Sequence, residues 1–427
     1  MTANQILSAV LFLCAGLFPL PAVADQTGDN SSFEACLNQH AQPRVARVVA
    51  ETGTVVYARV LQADQGTPSR FATIAPASTA LDEVFRLAAL GHAGEQALGT
   101  DADEFSVEAK QLKSRLCAPT ELTRKTLNEG SGFIIAAGLN YQAHAAEAGG
   151  GDVFLFPKPS PPTSAYTRVT PPKGVTLLDY EVELGFVLLD DLEPASPIGE
   201  KSFLASSAFF VANDISDREP IIAHKGLSGP GTGFADSKGQ PTFFPAGPWM
   251  VRGTELFAAL DACGGKGLTL ELSVDEGQGQ LLRQSSTTEL MIISAQELIA
   301  RIADEIATAG RVSPMPLREE TGDRFYGFAT DAERPVLPAG SIVLTGTPDG
   351  VALQPPGKLG LVFRGLVHLR TPFSQLIVEE KARAQAGEPG GYLAAGDIVS
   401  ARIQGLGTQT FEIGEAGAPL APDPCHP

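Results

Sequence analysis

The stretch LLDYEVELGFVLLDD, residues 177 to 191, sets Asp179, Glu181 and Glu183 at alternate positions inside an otherwise apolar run. Alternate side chains of a β-strand point to one face. Extended backbone here therefore puts three carboxylates on one side and Tyr180, Val182, Leu184 and Phe186 on the other. Two readings are open: a half-exposed strand with its polar face in water, or a strand whose carboxylates share a cation. SAFFVANDIS, residues 207 to 216, bears on the choice, because it ends an apolar run with Asn213 and Asp214. Hard cations such as Mg2+, Mn2+ or Ca2+ take several oxygen ligands, and two or three carboxylates with water meet that need. A cation also relieves the repulsion between like charges on one face.

Working outward, the same short β-rich texture recurs in GPWMVRG, LTLELSVD, SIVLTGT and DIVSARIQG, separated by glycine and proline. One strong helix interrupts it, SAQELIARIADEIATAG. Ser294 and Glu297 form its capping box, Leu298, Ile302 and Ile306 recur on one face, and Gly310 stops it. Strands without regular intervening helices exclude a doubly wound parallel sheet. They predict an α+β fold built on a mixed, mostly antiparallel sheet assembly. Residues 25–130 read as a small N-terminal α+β domain. RVARVVAETGTVVYARVLQ alternates like a hairpin turning at Glu51, Thr52 and Gly53, and ALDEVFRLAALG is an amphipathic helix closed by Gly91. Residues 131–416 form the main domain and 417–427 a tail.

The 427 residues are 43% hydrophobic, enough for a sizeable core, and carry 32 prolines and 45 glycines, which suits many turns. A formal charge of −18 excludes the basic footprint that nucleic acid requires. The first residues, ILSAVLFLCAGLFPLP followed by AVAD, read as a secretory leader over residues 1–24 cleaved after Ala24, with a retained anchor as the alternative. The leader implies an exported, periplasmic protein with no stable membrane insertion after cleavage. Its removal leaves Cys36, Cys117, Cys263 and Cys425. These are either two disulfides in one of three connectivities, with Cys36–Cys117 the first expectation, or buried free thiols.

GLNYQAHAAEAGGG places His144 and Glu147 three apart, so one helical turn brings them together. Such a pair suits a general base acting on water; the bland alternative is an exposed pair on a loop. The glycines at 149–151 suit a lid. There is no G-x-S-x-G or H-E-x-x-H, and the glycines of GPGTGF do not join a strand to a helix start. Lys158 in FPKPS is read either as reaching substrate or as solvated. His40, His92, His224, His368 and His426 have no partner suggested by sequence, and Trp249 is a core candidate.

GLNYQAHAAE, FPKPS, LDYEVELGFVL, ANDISDRE, FFPAGPWMV, RQSSTTELMI and IVLTGTPDGVA follow one another in the order that resembles the fumarylacetoacetate hydrolase family. The resemblance runs from about 131 to 412, ending in AGDIVSARIQGLGT. It implies that family's mixed β-sandwich roll, with Glu181, Glu183 and Asp214 binding a divalent metal, Mg2+ foremost and Mn2+ or Ca2+ as alternatives. It implies that His144 and Glu147 activate water from a lid, and that Lys238 stabilises oxyanion charge. Arg218, Thr242 and Thr347 fall on substrate-contacting positions, and Asp179 becomes a supporting carboxylate. The implied activity is hydrolytic cleavage of a carbon–carbon bond in a small dicarbonyl or oxo-acid, acylpyruvate-like or fumarylacetoacetate-like, through a metal-held enolate. An isomerase, hydratase or oxo-acid decarboxylase on the same site is the alternative, and a non-catalytic exported binder of metal or small acids a second. A homodimer is implied by analogy. The sequence departs from the family in a long loop before Lys238, in Ile221 where some members have a polar contact, and in LREETGDRFYGFATDAERP, an insertion before SIVLTG.

Overall fold

A computed structural model of the chain describes residues 27–91, 103–123, 126–127, 132–148, 150–193, 198–224, 233–309, 311–319, 322–329, 336–353, 371–387, 391–423 and 425. The leader segment, His92, His368 and His426 lie outside them, as do residues 225–232 of the long loop before Lys238. Two sheets dominate. The larger has twelve strands, ten of them in the order Glu104–Ser106, Thr67–Pro76, Val55–Asp64, Arg44–Val49, Met250–Arg252, Ser207–Asn213, Val182–Leu188, Ile342–Leu344, Ile134–Gly138 and Phe154–Pro157. Pro245–Ala246 and Thr163–Ser164 pair off this path. The second sheet runs Gln280–Thr287, Thr269–Asp275, Ile398–Ile403, Gly407–Ile413 and Arg168–Val169. Neighbours are antiparallel except for three parallel pairs, 342–344 with 134–138, 245–246 with 163–164, and 407–413 with 168–169. The α+β, mixed-sheet expectation holds.

The acidic strand occupies the middle of the large sheet, and none of its residues from Val182 to Leu188 faces water. Its alternation divides it between two cores. Leu184, Phe186 and Leu188 belong to one that also holds Leu270, Leu272, Val399 and Phe411 of the second sheet, a face-to-face sandwich. Val187 belongs to the other, under the helix Leu81–Leu90, with Val84, Phe85 and Phe210. A half-exposed strand is therefore ruled out. Gly185 is required where it stands, since a Cβ there would lie 2.8 Å from the Phe210 ring.

The N-terminal hairpin forms as its pattern predicts, Arg44–Val49 against Val55–Asp64 with Gly53 at φ 83° in the turn. It is continuous with the main sheet, because Arg44 and Val45 pair with Val251 and Met250. Trp249 is buried there and donates from Nε1 to the Gly405 carbonyl, 3.2 Å away. The helix Ala295–Ala309 has its reciprocal cap, Ser294 N donating to Glu297 Oε2 at 2.7 Å and Glu297 N to Ser294 Oγ at 3.2 Å. The insertion, which starts at Leu317, supplies the end of the first strand and all of the second in the hairpin Arg311–Glu319 with Gly322–Ala329, a separate two-stranded sheet. His40 ends the helix Thr27–His40 and is exposed.

The cysteine pairing differs from the expected Cys36–Cys117. Cys36 bonds to Cys263, and Cys117 to Cys425. The reason is spatial: Cys36 lies on Thr27–His40, which packs on the helix Gly253–Ala262 capped by Cys263, and the C-terminal segment returns to Cys117. Disulfides join cysteines whose Cα atoms approach within about 6 Å, whatever their order along the chain.

Candidate active site

The site grows from the end of the acidic strand. Val182 pairs with Asn213, and the ladder continues one step as Asp214 N donates to the Glu181 carbonyl at 2.9 Å. That register sets Asp214 beside Glu181 and Glu183. One oxygen from each of the three carboxylates lies within 4.8 Å of the others, and all three residues are buried. Asp179, on the same strand parity, faces elsewhere. It accepts from Arg218 Nε at 2.7 Å, Ala352 N at 2.8 Å and Leu353 N at 3.1 Å, so it supports the site from behind.

Buried carboxylates need partners, and three cations supply them. Lys238 Nζ donates to Glu181 Oε2 at 2.5 Å and Asp214 Oδ2 at 2.7 Å. Arg218 Nη2 makes an ion pair with Glu181 Oε1 at 2.6 Å. Lys158, fully buried, donates to Asp214 Oδ1 at 2.5 Å and to the Lys238 carbonyl at 3.0 Å. Burial opposes the charge on Glu181, but Arg218 and Lys238 outweigh it and hold the carboxyl below its ordinary range. Glu183 accepts from the Gly346 amide at 2.7 Å and feels the Lys238 charge, but burial first, then the nearby Asp214 and Glu181, push it well above its ordinary range. Burial lowers the Lys158 ammonium more than Asp214 restores it, whereas Asp214 and Glu181 overcome burial at Lys238 and raise it.

This donor set fits a hard divalent cation: three buried carboxylate oxygens converge, and four acidic groups face three basic ones, so negative charge is left over. The raised Glu183 carries the same message, since its crowding is what a cation would relieve. The buried hydroxyl of Tyr141, which senses the Glu183 charge, has no hydrogen-bond partner among the described residues.

A cavity of about 360 Å³ opens in front of these groups, lined among others by His144, Glu181, Glu183, Arg218, Lys238 and Thr347. His144 and Glu147 lie on the helix Gln142–Glu147, with Nδ1 3.5 Å from Oε2. Both Glu147 oxygens face the Gly350 amide, at 3.2 and 3.3 Å. Two groups that carry no role in the sequence reading fix this geometry. Asn140 joins three segments, donating to the carbonyls of Ile293 at 2.9 Å and Thr345 at 2.7 Å and accepting from Ile293 N at 2.9 Å. Gln284 accepts from Val182 N at 3.0 Å and donates to Thr347 Oγ1 at 2.9 Å. They lie in GLNY and RQSS, and no local pattern in either stretch marks the role, since the partners are distant in the chain.

Of the sequence candidates, the cavity gathers His144, Glu181, Glu183, Arg218, Lys238 and Thr347. Lys158 stands behind Asp214, neither solvated nor lining the cavity. Thr242 lies apart, its Oγ1 accepting from Thr170 N at 2.8 Å.

Against known proteins, residues 133–413 match the family described as "Fumarylacetoacetate (FAA) hydrolase C-terminal". A 2,4-didehydro-3-deoxy-L-rhamnonate hydrolase of Sphingomonas sp. (strain SKA58) is 26% identical over 298 residues, 67% of this chain and 75% of that protein. The fold is similar to a fumarylacetoacetate hydrolase from the psychrophile Exiguobacterium antarcticum, with TM-score 0.50 and 18% identity over 88% of this chain and 100% of that one. It is similar also to a 5-carboxymethyl-2-hydroxymuconate delta-isomerase from Mycobacterium smegmatis, with TM-score 0.50 and 18% identity over 87% and 99%.

Proposed function

The chain belongs to the fumarylacetoacetate hydrolase family, and from that membership we propose a divalent-metal-dependent hydrolase that cleaves a carbon–carbon bond in a small 1,3-dicarbonyl oxo-acid. The observation that carries this reading is that His144, with Glu147 3.5 Å behind its Nδ1, lines the same cavity as Glu181, Glu183 and Lys238. Glu147 orients the imidazole and shares its proton, so the pair can take a proton from water as the oxygen adds to a substrate carbonyl carbon. The carbon–carbon bond then breaks, and its electron pair leaves with the oxo-acid fragment as an enolate. Protonation of that enolate restores a ketone, and the other fragment departs as a carboxylate. Lys238 spends two of its three N–H groups on Glu181 and Asp214, which leaves one to steady negative charge on substrate oxygen. Glu181, Glu183 and Asp214 would hold the cation, which supplies Lewis acidity toward substrate oxygens when bound.

The test is purified protein with Mg2+ or Mn2+ against a panel of acylpyruvates and oxaloacetate, with products identified. Cleavage to a carboxylate and an oxo-acid is expected, and Glu147→Ala lowers kcat by about 10²–10⁴-fold while oxalate affinity stays unchanged. An inert panel, with oxalate binding equal in both proteins, would leave a binder rather than an enzyme; release of CO2 or an isomer alone would sink the hydrolytic step.

Export belongs to the same reading. The 1–24 leader and two closed disulfides both suit an oxidising, periplasmic setting, and a mature chain beginning at Asp25 is the expected product. A homodimer suits the second sheet, whose last strand Gln280–Thr287 exposes Leu281 and Leu282, with Leu290 and Ile292 exposed beyond it.

A further inference from the structure

The cavity has two chemically different ends. One carries the carboxylates, Lys238 and His144. The other is aromatic: the rings of Phe154, Phe156 and Phe234 pack together with centroids 4.8 to 5.9 Å apart. The two ends adjoin, since Lys238 Nζ lies 5.4 Å from the Phe156 centroid and 5.9 Å from that of Phe234. Val153 and Ile221 extend the apolar wall.

The charges on the lining decide what this wall accepts. Among the described lining residues the permanent cations are Arg218 and Lys238, and both are committed to Asp179, Glu181 and Asp214. The exposed Asp152, also on the lining, would repel a second carboxylate. A distal acid would enter with its charge unpaired, and a distal polyol would lose water against phenyl rings without replacement hydrogen bonds. An alkyl or aryl group gains by leaving water there. Resting on the proposed oxo-acid reading, we propose that the substrate is a monoacid whose far arm is an apolar chain of several carbons or a phenyl group. Phe154, Phe156 and Phe234 select for that arm.

Binding without turnover tests this independently of the reaction. The full chain, saturated with Mg2+, is titrated calorimetrically with pyruvate, 2-oxobutanoate, 2-oxopentanoate, 2-oxohexanoate and 2-oxooctanoate, then with 2-oxoglutarate and 2-oxoadipate. Kd should fall about fourfold per added methylene until the cavity is full. The dioates should bind about tenfold or more weakly than methyl-ended acids of equal length. Phe234→Ala and Phe154→Ala should flatten the ladder while leaving the pyruvate Kd within about twofold, which also reports that each variant has folded. Equal affinity along the ladder, or tighter binding of the dioates, would overturn the inference. A steep ladder with no acylpyruvate cleaved would overturn the hydrolase reading and leave the arm standing; cleavage at one kcat/KM for every acyl length would do the reverse.

Discussion

Lys158 lies in FPKPS, a setting where a lysine ordinarily reaches water, yet it is fully buried with Nζ 2.5 Å from Asp214 Oδ1. Burial alone would disfavour its charge, so the residue is tolerable only as half of a pair. Lys158→Met should therefore cost about 3–5 kcal/mol in urea unfolding, because Asp214 keeps one partner in place of two. The double variant Lys158→Met/Asp214→Asn should cost clearly less than the two singles summed. Strict additivity would mean the pair contributes nothing. This contact was illegible in the sequence because its partner sits 56 positions away, just past the end of strand Ser207–Asn213. His144 and Glu147, by contrast, were legible, since one helical turn is a local matter. Glu181 and Glu183 were half legible: alternation puts them on one face, but only the register with 207–213 brings Asp214 to them.

At the scale of elements, the segment after Ile342–Leu344 ties the parts of the candidate site together. Thr345 Oγ1 and Thr347 Oγ1 donate to the Leu184 and Val182 carbonyls, at 2.9 and 3.0 Å, and the Gly346 amide reaches Glu183. Gly350 then meets Glu147 on the helix Gln142–Glu147. Gly346 has φ +94°, and a Cβ there would stand 2.9 Å from Asn140 Cβ and 3.1 Å from the Ala137 carbonyl. Gly346→Ala should thus destabilise the protein by about 1–3 kcal/mol and weaken Mg2+ binding at the same time, as Glu183 loses its amide. Calorimetric Mg2+ titration beside thermal melting checks both; an unchanged Mg2+ affinity would mean that the loop does not position Glu183. The glycine lies in IVLTGTPDGVA, but its need follows from a packing distance that no local pattern encodes. Where all determinants are local, pattern and structure agree, as at the Ser294–Glu297 cap, the turn at Gly53 and the helix Leu81–Leu90.

For the whole molecule, what the sequence least revealed is how its ends are fastened. The fold joins strand 44–49 to strand 250–252 and bonds Cys36 to Cys263 across 227 residues and Cys117 to Cys425 across 308. Cysteine spacing cannot distinguish these from other connectivities, because closure depends on which surfaces meet after the sheets form. The consequences of the two bonds differ. Cys36–Cys263 holds the helix Thr27–His40 against Gly253–Ala262, whereas Cys117–Cys425 anchors a tail whose residues from Leu420 to Asp423 are exposed. A long closed loop restricts the unfolded chain strongly in both cases, so the paired serine variants Cys36→Ser/Cys263→Ser and Cys117→Ser/Cys425→Ser should each lose about 2–5 kcal/mol. In a chain of this size that is a few degrees in Tm. None of the four cysteines lines the cavity, so oxo-acid binding at 25 °C should be retained by both pairs. Non-reducing peptide mapping decides the premise: fragments holding Cys36 and Cys263 should travel together and separate on reduction, and a Cys36–Cys117 fragment would refute this arrangement of the chain's ends.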